Sequence, residues 1–226
     1  MARFTISYTR EKGPLTLNFR KLNDMLQDKT PLKIPIDRNS VMLKHGSIGL
    51  KMIFVCDIFE ELQRSSSELG VLGENVLYIN KKQFYDFIFN LDIFIFELYS
   101  ILDYFALEVA EILKFKKNIR YFTDLKKVRF NQTIKQKIDF FMNQNWFNYF
   151  HKMRIRIVHR LPINFWALIH GEIVEFPFFP DDPLNIKSVS NKKLEPLIEC
   201  QKWLEEVFNF IDEICSELVR ELFVSI

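Results

Sequence analysis

From Lys81 to about Lys117 the chain has neither glycine nor proline, and it carries Phe84, Phe87, Phe89, Phe94, Phe96, Tyr99, Tyr104 and Phe105. Placed on a helical wheel, these aromatics lie on nearly every side, and a helix that is apolar all round has to be contacted from several directions. The segment therefore predicts the central helix of a bundle. Its apolar surface narrows to one face in LDYFALEVAEIL, where Glu108 and Glu111 alternate with Leu107, Val109, Ile112 and Leu113.

Helical spacing recurs elsewhere. Leu50, Phe54, Phe59 and Leu62 predict a helix from about Gly49 to Leu69, closed by Gly70 and Gly73. Leu204, Phe208, Ile211, Cys215, Leu218 and Leu222 recur at intervals of four and three within a closing helix from about Leu194 to Leu222, the seam of a helix packed nearly antiparallel in a bundle. Between them, IKQKIDFFMNQNWFNYFHKMRIRIVHR predicts helix with a break near Asn143 to Asn145, stopped before Pro162 because the residue preceding a proline is pushed out of the α region. The basic linker KFKKNIRYFTDLKKVRFNQT reads as a solvated loop with a short helix.

β-favouring runs FTISY and LTLNF lie between Gly13, Pro14, Pro31 and Pro35, so residues 1–46 read as an irregular segment with short strands. Two β-rich runs around His170 and Gly171 in NFWALIHGEIVEFPF suggest a hairpin inserted at about 164–178. The expected architecture is mainly α: an irregular segment over 1–46, then a helical bundle over 47–226 carrying a small β-hairpin.

Composition excludes several classes. A net charge of +2 creates no strong overall field toward nucleic acid or anionic membrane, so any basic site is local. Cys56, Cys200 and Cys215 form no CxxC pair, and the last two stand about 22 Å apart along one helix at 1.5 Å per residue, too far to bridge. That usage fits a reducing compartment. His45, His151, His159 and His170 lack ligand spacing, so neither a metal nor another cofactor is expected. MARFTISYTREKGP has no apolar core of a signal peptide, and FIFNLDIFIFELYSIL is interrupted by Asp92 and Glu97. A cytoplasmic protein without a membrane span is expected.

The stretch HKMRIRIVHR gathers Lys152, Arg154, Arg156, Arg160, His151 and His159 at a helix C-terminus. On a wheel with about 100° per residue, Trp146, Tyr149, Phe150, Ile157 and Arg160 group around Met153 as a core face, while Phe147, His151, Arg154, Ile155 and Val158 collect on roughly the other side. That second face needs its own cover, from this chain or from a second copy. A cap for the final carbonyls would alone explain basic residues here. The chemistry also suits phosphate, since arginine offers bidentate contacts and histidine titrates near neutrality.

RIRIVH, on a helix led by WFNYF and preceded by the long helix with LYSILDYFALEVAEIL, resembles the Arg-x4-His pattern of HEPN domains over roughly residues 84–160. The resemblance implies a HEPN-like helical bundle, usually a homodimer, whose paired motifs line one cleft and cut RNA without a metal. Carried over, it makes Arg154 and His159 the catalytic pair, with Arg156 and Arg160 as phosphate contacts. Asp103 in LDYFA would orient the motif arginine, and His151 would serve structure. The implied activity is a metal-independent endoribonuclease of toxin or defence type, with RNA and an antitoxin or other protein as partners. Where the family commonly has Asn after the arginine, this chain has Ile155. That favours the rival reading, a non-catalytic dimerisation or nucleotide- or protein-binding module.

Overall fold

The computed structural model describes residues 15–28, 30–68, 81–115, 119–129, 131–158, 168–170, 173–175 and 196–223, with backbone alone at 66–68, 81–85, 88, 156, 168–170, 173–175 and 196. Within them the protein is mainly helical. In chain order it has α1 (Leu17–Gln27), α2 (Arg38–Glu68), α3 (Lys81–Ile112), a 3-10 helix (Phe122–Lys127), α4 (Gln132–Met142), α5 (Asn145–Val158), the short strands β1 (Leu168–His170) and β2 (Ile173–Glu175), and α6 (Pro196–Leu222). β1 and β2 pair antiparallel with Ile169 opposite Val174.

The long helix α3 lies at the centre. Phe94, Leu98, Ile101, Leu102, Phe105, Ala106 and Val109 on it are fully buried, against α2 on one side and α5, α6 and the 3-10 helix on the other. It ends at Ile112, short of the expected Lys117. Lys114 turns left-handed at φ 52°, and the Phe115 N–H reaches back to the Ala110 carbonyl at 3.0 Å while Lys114 N–H meets Glu111. This Schellman closure satisfies the last carbonyls and seats Phe115 against the core.

Between residues 15 and 46 the described residues do not form the irregular, short-stranded segment expected from the sequence. LTLNF enters α1 rather than a strand, and α2 begins at Arg38, running across residue 46. The physical reason lies at the other end of the chain. Thr16 gives α1 no side-chain cap, and Asp212 on α6 takes that role, accepting from the Asn18 N–H at 2.7 Å and from Asn18 Nδ2 at 2.7 Å. The orphan donors of the first turn are thus satisfied by tertiary contact. Phe19, Leu22 and Leu26 are then buried. FTISY lies outside the described residues.

The start of α2 is set by Asp37, whose carboxylate accepts from the Ser40 N–H at 3.2 Å. Gly49 lies under α1, where a Cβ would stand in ordinary contact, 3.4 Å from the Phe19 ring. At the same level His45 stacks on Phe19 with ring centroids 3.7 Å apart and reaches Glu108 of α3. Lys33 closes the other end, with its N–H on the Leu222 carbonyl and its Nζ on that of Arg220.

The linker after α3 differs from a solvated loop. Its short helix exists, but Ile119, Phe122, Leu125 and Val128 are core residues. Phe122 sits edge-on to Phe141, Phe147 and Phe210 at 5.5 to 5.7 Å, around the stacked Phe141 and Phe210 pair at 4.1 Å. α4 starts on Asn131, whose side chain accepts from the Ile134 N–H at 2.9 Å, and a turn at Asn143 and Gln144 separates it from α5. No described helix is long and apolar enough to cross a membrane. The three cysteines are buried free thiols, and burial pushes that of Cys56 up to about 12.

Candidate functional site

Helix α5 fixes its rotation by burying Phe147, Phe150 and Met153. His151 and Arg154, three apart, are thereby turned onto α3, where Tyr99 and Asp103, four apart, present one face. Arg154 Nη2 stands 3.5 Å from Asp103 Oδ2. Its guanidinium lies 5.2 Å from the Tyr99 ring centroid and 6.0 Å from that of Tyr121, which precedes the 3-10 helix. The cation is held by two rings and one carboxylate, with its remaining donors uncommitted to that long contact.

Asp103 is itself fixed. Its Oδ1 accepts from the Phe122 N–H at 2.8 Å, which ties α3 to the 3-10 helix. Burial raises its carboxyl above the ordinary range, opposed by the Phe122 hydrogen bond and by Arg154, while Asp124 adds to the rise. Asp124 organises the same turn by accepting from the Arg120 and Tyr121 N–H groups at 3.2 and 3.1 Å, and those bonds hold its carboxyl below the usual range.

Tyr99 OH and His151 Nδ1 are 2.7 Å apart. Burial, reinforced by Asp103, pushes the Tyr99 phenol above its ordinary value, so its hydroxyl keeps its proton in this bond. Burial, then Arg154 and Lys126, holds the His151 imidazole below its ordinary value, so the neutral ring predominates at pH 7. Its Nε2 is without a hydrogen-bond partner among the described residues. Together Arg154 and His151 offer a cation and an imidazole edge on one helix face, groups that can meet an oxyanion such as a phosphate.

Of the residues singled out by the sequence, the structure brings Arg154 and Asp103 together. Arg156 lies on α5 with its backbone alone described, and His159 and Arg160 lie outside the described residues. Tyr99 and Tyr121 were not singled out as site residues. The spacing that could have pointed to Tyr99 is the Tyr-x3-Asp pair on α3 facing the His-x2-Arg pair on α5. The second face of α5 is covered by its own chain at Phe147, which touches Tyr99, Phe122 and Phe141. It stays open at Ile155 and Val158, which are 37% and 42% exposed.

Among the described residues no three His, Cys, Asp or Glu side chains converge as a metal site. A groove of about 270 Å³ between α4 and α6, lined in part by Lys137, Phe140, Phe210 and Glu213, shares no residue with the Arg154 cluster.

The fold and site define a mainly helical protein with an arginine beside two tyrosine rings and a histidine bonded to one of those tyrosines. No family model, curated protein or solved structure matches the chain.

Proposed function

We propose that the chain is a HEPN-like bundle with a small β-hairpin that binds RNA and acts as a metal-independent endoribonuclease of toxin or defence type. Arg154 and His159 from two copies would share one cleft in a cytoplasmic homodimer. The observation that carries this reading is the seating of Arg154 by Asp103, Tyr99 and Tyr121, since a pre-oriented guanidinium stabilises charge without reorganising during reaction.

In this reading His159 takes the proton of a ribose 2′-hydroxyl, whose oxygen attacks the adjacent phosphorus. The bond to the 5′-oxygen breaks, and a protonated histidine of the second copy donates the proton that the leaving oxygen needs. The products are a 2′,3′-cyclic phosphate and a 5′-hydroxyl. Arg154 stabilises the phosphorane-like transition state, and Arg156 and Arg160 position the strand. An antitoxin or other protein partner would mask the cleft.

A second reading is supported by two observations. Arg154 already shares its charge with Asp103, and the exposed Ile155 beside it suits a non-catalytic dimerisation or nucleotide- or protein-binding module. Cleavage of mixed-sequence RNA in EDTA, with wild type beside Arg154→Ala and His159→Ala, separates the two. Cleavage lost in both variants with unchanged circular dichroism supports the nuclease. RNA binding without cleavage by folded wild type supports the module instead.

A further inference from the structure

Six of the twelve exposed large apolar side chains among the described residues are Leu43, Leu50 and Phe54 on α2 and Phe89, Phe96 and Tyr104 on α3. They share one face of the helix pair. Lys51, next to Leu50, bonds Glu97 at 2.5 Å and lies 5.2 Å over the Tyr104 ring, while Lys44, next to Leu43, pairs with Glu111. These bridges run along the outer seam between α2 and α3, with one apolar stripe on each side. Leu43 and Leu50 are 74% and 71% exposed, on a scale that single scattered surface residues do not reach together.

Gly46 lies in the same stripe. It is exposed in the interior of α2, and nothing among the described residues stands within 4 Å of the position its Cβ would take. Helix-interior glycine is less favourable than alanine, and no neighbour among the described residues requires it. Gly46, Leu50 and Phe54 form one row at intervals of four, with Leu50 midway between a hole and a large ring.

We propose that this face is a self-association surface, in which two copies pack α2 on α2 about a two-fold axis near Leu50 and each Phe54 seats over Gly46 of the other copy. A two-fold axis through the middle of the row exchanges its ends, so the residue four after Leu50 meets the residue four before it. Rows at intervals of four laid on one another cross at about 50°, the commonest helix packing. The same antiparallel sense sets Asp57 and Glu61, at the acidic end of the stripe, toward Lys44 at its other end. That acidic rim opposes an anionic lipid surface. None of these residues belongs to the Arg154 cluster, so the surface stands independently of the proposed nuclease activity.

Sedimentation equilibrium of the full chain over a concentration series tests the proposal, with RNA cleavage read on the same samples. Leu50→Glu and Gly46→Leu should each raise the dimer dissociation constant by about thirtyfold or more. Gly46→Leu should leave the thermal melt of the monomer intact or raised, because its side chain enters open space. Leu50→Cys should cross-link to itself with a short bismaleimide, whereas Leu17→Cys on α1, equally exposed, should not; the native thiols are buried. A protein that stays monomeric at concentrations on the order of 100 µM would overturn the proposal and give the face to a different partner. So would a dimer indifferent to both substitutions.

Discussion

His45 on α2 and Glu108 on α3 meet at 2.7 Å with neither side chain reaching solvent. His45 Nε2 stands 2.9 Å from the Phe19 carbonyl, which can only accept, so Nε2 donates there and three helices join at one imidazole. Glu108 Oε2 has no hydrogen-bond partner among the described residues.

Removing one member of such a pair strands the other. His45→Ala should cost about 3 to 5 kcal/mol, whereas the double replacement His45→Leu with Glu108→Leu should recover much of that loss, because the unpaired buried acid is gone. Urea unfolding of the three proteins measures this. A double mutant as unstable as His45→Ala would show that packing, and not the stranded carboxylate, sets the cost.

Asp92 on α3 is partly buried, its Oδ1 without a hydrogen-bond partner among the described residues, and desolvation pushes its carboxyl up to about 6 from 3.8. The folded state binds this proton more tightly than the unfolded state. Its stabilising contribution is therefore present below about 3.8 and lost as pH rises through about 6. Asp92→Asn should be the more stable protein at pH 7.5 by about 1 kcal/mol, after discounting for partial exposure, and the two should converge near pH 4. Denaturant midpoints across that range check the sign.

Tyr99→Phe removes the hydroxyl that bonds His151 Nδ1. In wild type the imidazole should show the Nε2–H form by nitrogen NMR and should gain its second proton only below its ordinary value of 6.5. The variant should lose the single tautomer while burial keeps the titration low. If Tyr99→Phe keeps a pure Nε2–H signal, some other group holds the ring.

Asp212→Ala should destabilise the fold by about 1 to 2 kcal/mol, the scale of a lost helix cap. Amide exchange should quicken in the first turn of α1 well before it does in α3. Uniform protection across α1 and α3 in that variant would show that Asp212 does not act as the cap.

Much of the helical layout was legible because α3 and α6 carry long, uninterrupted apolar patterns and because Asn143 marks the turn between α4 and α5. The start of α2 was read too late, since Gly46 and Gly49 look like punctuation, yet both lie inside the helix, one facing open space and the other under Phe19. The end of α3 was read too late for the opposite reason: its left-handed residue is Lys114, and no glycine announces it. LTLNF was read as strand because its cap sits on α6. Within the site, Arg154 and Asp103 stood out as charges, while Tyr99 was hidden among the aromatics of α3.

The Asp212 cap also imposes an order on synthesis. Asn18 and Asp212 are 194 positions apart, and at about 5 to 20 residues per second the ribosome needs roughly 10 to 40 s between them. Through that interval Phe19, Leu22 and Leu26 have no α6 to cover them. Helix α1 is therefore among the last of the described helices to be secured, waiting on the ribosome's delivery of α6.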